Sequence, residues 1–370
     1  MFYKKMIKNI KILQDKLKID FSNNTEESFL NIWLRDHAKD DDSWDSRSNQ
    51  RKIFTAKLDP KLYIKKAEIK DHGNSIDILW SDLNKSINYS SEFFTENLTK
   101  SKKKQNNLKI WASNDLDENI YTNFNDVITE DGYKSFLKKL YEYGFVVIQN
   151  CKTEMSSVEK IAKKIGYVRE SIFGGLWSFE SNEDKADSAY TQEELRPHTD
   201  STYSNDAPGL QLLLCCNYKA TGGESIMVDG FKIAEKIKNE KKEIYDLLTK
   251  VEVTGQYIGD GVFLEAKRPI LKLNSDQQLT QVSFNNYDRA PFIMSEDKTK
   301  KFYHAIREFD LIANNKEYQW RRVLRPGDLL IFNNWRILHG RGSFSGDRKM
   351  SGCYINKEDF DSSCRIHKII

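Results

Sequence analysis

The sequence predicts an α+β chain whose main body is a β sandwich or barrel. Two amphipathic helices lie in its middle, short strands precede them, and strands dominate from Gly209 onward. Hydrophobic residues make up 39% of the 370, with 20 Phe, 17 Tyr and 7 Trp, which is ample for a core and excludes a disordered chain.

The first strands show as alternation: Leu17, Ile19 and Phe21, then residues 67–70, then Ile76, Ile78 and Trp80, the last two strands joined by a turn at His72, Gly73 and Asn74. The polar, lysine-loaded run at 99–107 predicts an exposed linker. Beyond it Tyr133, Phe136, Leu137, Leu140 and Tyr141 share one helical face, and Gly144 stops that helix. Phe145, Val146, Val147 and Ile148 read as a buried strand. Ser157 suits the cap of a second helix with Val158, Ile161, Ala162 and Ile165 as its stripe and Gly166 as its end. Strands follow at 209–216, 225–228, 281–284, 329–332 and 348–355, with one helix at about 231–238 between them. There is no internal repeat.

Lys+Arg 58 against Asp+Glu 55 gives a net charge of +3, so no strong field favours nucleic acid or an anionic membrane. No apolar run approaches the ~18 residues of a membrane span. The lysine-rich start has neither the apolar core of a secretion signal nor an arginine-rich, acid-free presequence pattern. The 5 cysteines contain no CxxC pair, so a reducing cytoplasm is the expected location. With only 6 histidines, the search for a metal site is short.

The chemistry concentrates in three places. His198 and Asp200 stand two apart, so on an extended segment an imidazole and a carboxylate converge on one ion. His339 follows a turn at 325–328 and a buried strand at 329–332, and with the first pair it completes a two-histidine, one-carboxylate set. Such a set leaves three faces of Fe(II) open for substrate and O2. Zinc could use the same ligands, but a zinc hydrolase also needs a general base aimed at the metal water, and none is evident. Arg348 shares one strand face with Met350, Gly352 and Tyr354. A guanidinium aimed into a barrel is costly unless an anion answers it, and the distal carboxylate of 2-oxoglutarate is such an anion. Arg336 and Arg341 compete for that role but read better as structural residues. Ser225 can add a hydroxyl to the same carboxylate, although a serine at a strand start is equally a turn residue.

His198-Thr199-Asp200, the stretches Thr221 to Ser225 and Val228 to Phe231, and the run Asn334 to Arg341 together resemble the Fe(II)/2-oxoglutarate hydroxylases of carnitine biosynthesis, the trimethyllysine and γ-butyrobetaine dioxygenases. Trp33-Leu34-Arg35-Asp36-His37 extends the resemblance to most of the chain. It implies a double-stranded β-helix (jelly-roll) catalytic domain with flanking helices at 111–370 and a small N-terminal β domain at 1–110. It also implies Fe(II), 2-oxoglutarate and O2 as cofactor and cosubstrates, and often a homodimer. One departure is clear: where relatives continue into a zinc-binding cysteine cluster, this chain has Ala38-Lys39-Asp40-Asp41-Asp42-Ser43-Trp44, and no cysteine precedes Cys151. Carboxylates there suit a hard cation or water, so no N-terminal zinc is expected and His37 is expected to be structural.

The same resemblance makes Trp177, Tyr190 and Tyr354, with Phe173, an aromatic cage for a trimethylammonium group. Such a cation donates no hydrogen bonds and is held by ring faces. Ordinary core packing is the competing reading of these rings. Within the family, Asn285 to Ala290, including Asn286, and Gly346 to Tyr354 look more like trimethyllysine dioxygenase. Asp187 stands where γ-butyrobetaine dioxygenases place an amide against the substrate carboxylate. An aspartate there repels a bare carboxylate and attracts an α-ammonium, unless it is a plain surface residue. The expected reaction is hydroxylation of N6-trimethyllysine to its 3-hydroxy product with release of succinate and CO2. The alternatives are γ-butyrobetaine, a trimethylaminoethylphosphonate, or a non-enzymatic methyl-lysine reader that would have no use for three metal ligands.

Overall fold

Residues 5–99, 107–180 and 192–370 are described by a computed structural model, which divides the chain into two units, Met1–Gln105 and Asn106–Ile370. In the first, the alternating strand Lys16–Phe21 buries Leu17, Ile19 and Phe21 and pairs antiparallel with Ile7–Ile12 and Glu26–Leu30. A second three-stranded sheet joins Ile64–Lys70, Ser75–Trp80 and Ser86–Ser90. The turn before its middle strand places Asp71, His72 and Gly73 at positive φ. The segment from Trp33 to His37, just before the departure from the family pattern, is tied down by side chains. Arg35 donates to Asp82 and to Ser43, each at 3.1 Å, and Asp36 accepts from the Thr55 hydroxyl at 2.8 Å and pairs with Arg51. His37 stacks on Trp33 at 4.3 Å and its Nδ1 meets the Trp33 carbonyl at 2.7 Å. The lysine-rich linker falls mostly outside the described residues.

The second unit is a double-stranded β-helix. One sheet runs in the order Val168–Arg169, Phe344–Ile355, Leu210–Gly222, Leu329–Asn333, Phe145–Gln149 and Tyr121–Asn123, with Leu176–Glu180 also paired to Phe344–Ile355. The other has the order Leu195–His198, Ile337–Arg341, Ser225–Asp229 and Gln319–Arg322. The unbroken apolar runs follow from burial on both faces. Phe145, Val147, Leu330 and Phe332 point inward to a core shared with Met227 and Ile337 of the other sheet. Val146, Ile148, Leu329 and Ile331 point outward, under helices Glu130–Tyr143, Met155–Ile165 and Lys357–Ile366. Helices Gly230–Glu240, Lys242–Lys250 and Glu296–Ala313 cover the outer face of the four-stranded sheet through Ile226, Val228 and Leu338.

Gly144 ends its helix in the left-handed region at φ 80, as the sequence predicts. Two local expectations are corrected. The C-terminal half holds four helices of nine residues or more rather than one. Ser157 caps nothing: helix Met155–Ile165 begins before it, with Glu154 at the cap and no side-chain cap bond.

Arg336 is a buried charge that donates four hydrogen bonds. It donates to Asp229 from Nε at 3.1 Å and from Nη2 at 2.7 Å, and further to the carbonyls of Glu142 and Lys109. Both side chains are at most 2% exposed. Breaking a buried pair from one side leaves an uncompensated charge, so Arg336→Met is expected to cost about 3–5 kcal/mol in urea unfolding.

Candidate active site

Strand Leu195–His198 pairs antiparallel with Ile337–Arg341 in a register that sets His198 opposite His339. Their rings lie 4.3 Å apart. The strand ends at His198 rather than running on through Asp200, and Ser201 turns the chain in the left-handed region at φ 56. Asp200 is held there by Asn334, which accepts from its backbone N–H at 2.8 Å and donates to its carbonyl at 3.1 Å. The Tyr354 hydroxyl donates to Asp200 Oδ2 at 2.8 Å. That leaves Oδ1 at 3.4 Å from His198 Nε2 and 3.5 Å from His339 Nε2.

All three ligand atoms lie within 4.8 Å of one another, and no other such group occurs among the described residues. Hydrogen bonding prepares the set for a metal. His198 Nδ1 faces the Arg196 carbonyl at 2.8 Å, so its Nε2 lone pair points to the ion position. Burial pushes His339 down to about 4, which keeps it a neutral ligand. Burial opposes ionisation of Asp200, yet the imidazoles of His339 and His198 and the Tyr354 hydroxyl hold it below the ordinary carboxylate range. Two imidazoles and one carboxylate on one side of a cavity fit Fe(II) with open positions.

These residues line a cavity of about 140 Å³, room for small molecules. Arg348 lines it too, with no carboxylate within ion-pair distance among the described residues, and burial lowers its pKa. Arg341 lines the same cavity, pushed down to about 10 by burial and by the nearby Arg348. Ser225 is there too, buried and paired in register with Arg341. The aromatic wall consists of Trp177, Phe173, Phe179 and Tyr354, with Trp177 and Tyr354 at 5.5 Å and 54°. Trp177 lies over Gly352, where a Cβ would come within 2.5 Å of the indole. Tyr190 and Asp187 fall outside the described residues. Asn286 is exposed on its turn, while its neighbours Asn285 and Tyr287 line the cavity, Tyr287 with its ring edge-on to His198 at 5.6 Å.

Several lining or supporting residues escaped the sequence reading of site roles, among them Arg341, Asn334, Gln211 and Asp288. Arg341 is read there as structural, and its cavity position shows only in its register with Ser225. Asn334 stands in the quoted motif, but nothing local says that its amide clamps Asp200. Gln211 carries no signal beyond its strand, and Asp288 stands in the quoted stretch from Asn285 to Ala290 without a role of its own there. Burial raises Asp288 to about 7, with the Asp200 charge adding to the effect. Since Asn334 fixes the Asp200 backbone from both sides, Asn334→Ala is expected to weaken metal binding about 10- to 100-fold, read by anaerobic calorimetric titration with Fe(II).

Residues 113–354 match the family described as taurine catabolism dioxygenase TauD, TfdA family, and residues 9–95 match the γ-butyrobetaine hydroxylase-like N-terminal family. The mitochondrial trimethyllysine dioxygenase of Rattus norvegicus is 30% identical over 95% of this chain and 86% of its own length. The trimethyllysine dioxygenase of Meyerozyma guilliermondii is 29% identical over 96% and 94%, and the γ-butyrobetaine dioxygenase of Pongo abelii 28% over 95% and 94%. Among solved structures, a putative α-ketoglutarate-dependent taurine dioxygenase from Burkholderia xenovorans shares the fold with a TM-score of 0.51 at 10% identity, covering 64% of this chain and 86% of that one. The fold, the triad and these relatives agree: the chain belongs to the TauD, TfdA family and is an Fe(II)- and 2-oxoglutarate-dependent dioxygenase.

Proposed function

We propose that this dioxygenase hydroxylates a trimethylammonium amino acid, N6-trimethyllysine, at C3, with 2-oxoglutarate converted to succinate and CO2. The observation that carries the reading is the double placement of Tyr354. Its hydroxyl holds Asp200 at 2.8 Å while its ring stands 5.5 Å from Trp177, so a cation on that aromatic wall rests beside the metal ligands. A quaternary ammonium donates no hydrogen bonds and is weakly hydrated, and ring faces hold it by cation–π attraction and apolar contact. The names of the relatives support the same substrate class.

His198, Asp200 and His339 would hold the iron, which when bound with 2-oxoglutarate and O2 supplies the oxidising power to hydroxylate an unactivated C–H bond. The chain's part is binding and placement. Arg348 takes the distal carboxylate of 2-oxoglutarate bidentately, and the Ser225 hydroxyl adds a donor. Trp177, Phe173 and Tyr354, with Tyr190, orient the methylated end, and positional control then selects the carbon that reacts. The 5 free cysteines suit a reducing compartment, for which we propose the cytoplasm.

Side-by-side turnover of trimethyllysine, γ-butyrobetaine and 2-trimethylaminoethylphosphonate by anaerobically loaded protein tests this, with succinate and hydroxylated product read by mass spectrometry. Trimethyllysine is expected to give the highest kcat/KM, and a preference for either rival overturns the substrate. His339→Ala is expected to abolish substrate-dependent succinate. Trp177→Ala is expected to raise the KM for the amine about tenfold or more while that for 2-oxoglutarate stays put, and Arg348→Ala to do the reverse.

A further inference from the structure

The cavity contains a carboxylate that neither the metal set nor the cosubstrate end uses. Asp288 lines it together with His198, Asp200, Asn285 and Tyr287. The turn that carries it is fixed. The Asn285 side-chain oxygen accepts from the Tyr287 N–H at 2.8 Å and the Asp288 N–H at 3.4 Å, and the Gln256 N–H donates to the Asp288 carbonyl at 2.8 Å. The carboxylate itself is oriented by two neutral donors that share Oδ2, Asn285 Nδ2 at 2.9 Å and the Thr202 hydroxyl at 3.2 Å. No lysine, arginine or histidine forms an ion pair with it among the described residues.

A partly buried carboxylate met by neutral donors alone is costly, and the cost falls when a cation meets it. Among the described residues no cation of this chain does. A ligand entering the cavity can, provided it brings an N–H donor with positive charge. The trimethylammonium group is the wrong kind of cation for this position, because it has no N–H to give and is better served by rings. An α-ammonium has three such donors.

We propose that Asp288 is the substrate-binding carboxylate that recognises the α-ammonium of the amino-acid substrate. The inference rests on the trimethyllysine reading and deepens it, since it assigns the far end of the substrate to a residue the described structure places in the cavity. Asp288 then also selects against butyrobetaine, which has no α-ammonium to offer it. Its immobility is part of the device: a carboxylate already oriented by Asn285 and Thr202 loses little freedom when the ammonium arrives.

The test compares trimethyllysine with its desamino analogue, 6-(trimethylammonio)hexanoate, in wild type and Asp288→Asn. Wild type is expected to show at least a tenfold higher KM for the analogue. Asp288→Asn is expected to raise the KM for trimethyllysine about tenfold or more, to leave kcat within about twofold, and to leave the analogue's KM unmoved. Equal effects on both compounds, or none on either, overturn the role of Asp288 and leave the substrate reading standing. Wild type that turns over butyrobetaine but not trimethyllysine overturns the substrate reading, and the role of Asp288 falls with it. Should Asp288→Asn fail to fold, Asp288→Ser carries the same comparison. Should that fail as well, equal wild-type KM values for the two compounds overturn the proposal.

Discussion

The site depends on one register. Leu195–His198 and Ile337–Arg341 pair so that the two histidines face each other, and Met227 lies opposite His339 on the other side. Side chains alternate along a strand, so a slip of one residue would exchange His339 for Leu338. Leu338 belongs to the apolar cluster under the helices on the outer face, together with Val228 and Ile226. A slipped strand would therefore bury a histidine among hydrocarbon and turn a leucine toward the ion position. Helices that touch no ligand thus specify the metal site, because they penalise every register but one.

The opposite sheet contributes three lining residues from a single strand. Arg348, Met350 and Tyr354 line the cavity from Phe344–Ile355, whereas Cys353 and Ile355 point outward to the helical layer. At roughly 3.3 Å per residue, Arg348 and Tyr354 stand about 20 Å apart along that strand. The Arg348 guanidinium and the Tyr354 ring therefore leave that strand well apart, and the Tyr354 hydroxyl donates to Asp200. An anionic cosubstrate and a cationic substrate can then enter one cavity without competing for the same wall.

Much of this was legible in the residues, for identifiable reasons. Alternation and helical spacing work where one period holds over several residues, as in Leu17 to Phe21 or Tyr133 to Leu140. The short ligand pattern was legible because iron needs few residues of fixed type. Helix Glu296–Ala313 was legible in principle, since Phe302, Ala305, Ile306, Phe309 and Ala313 recur at helical spacing. Its dense lysine and acid content masks that stripe when the eye looks for strands. Asn334 and Asp288 are of another kind. Their roles come from bonds to residues distant in the chain, Asp200 and Thr202, and no local period encodes a clamp. Asn286 shows the same limit at finer grain: the turn hands the wall to Asn285 and Tyr287, a parity that only the folded loop decides.

The cavity is also one place where the structure spends stability. Trp177 Nε1, Gln211 Oε1 and His339 Nδ1 are buried side-chain atoms without a hydrogen-bond partner among the described residues, and all three belong to residues lining it. Each such group costs about 1–3 kcal/mol relative to a satisfied one. The Arg336–Asp229 pair is more fully used, with four N–H groups of Arg336 donating and both oxygens of Asp229 accepting. Asn31 Oδ1, Asp40 Oδ1, Ser91 Oγ and Arg268 Nη1 are likewise buried without a partner among the described residues and lie outside that cavity, so such deficits are not confined to where a ligand would arrive. A scaffold covered on both faces of both sheets can carry that deficit, and a ligand that met those groups would bind to a cavity already shaped for it.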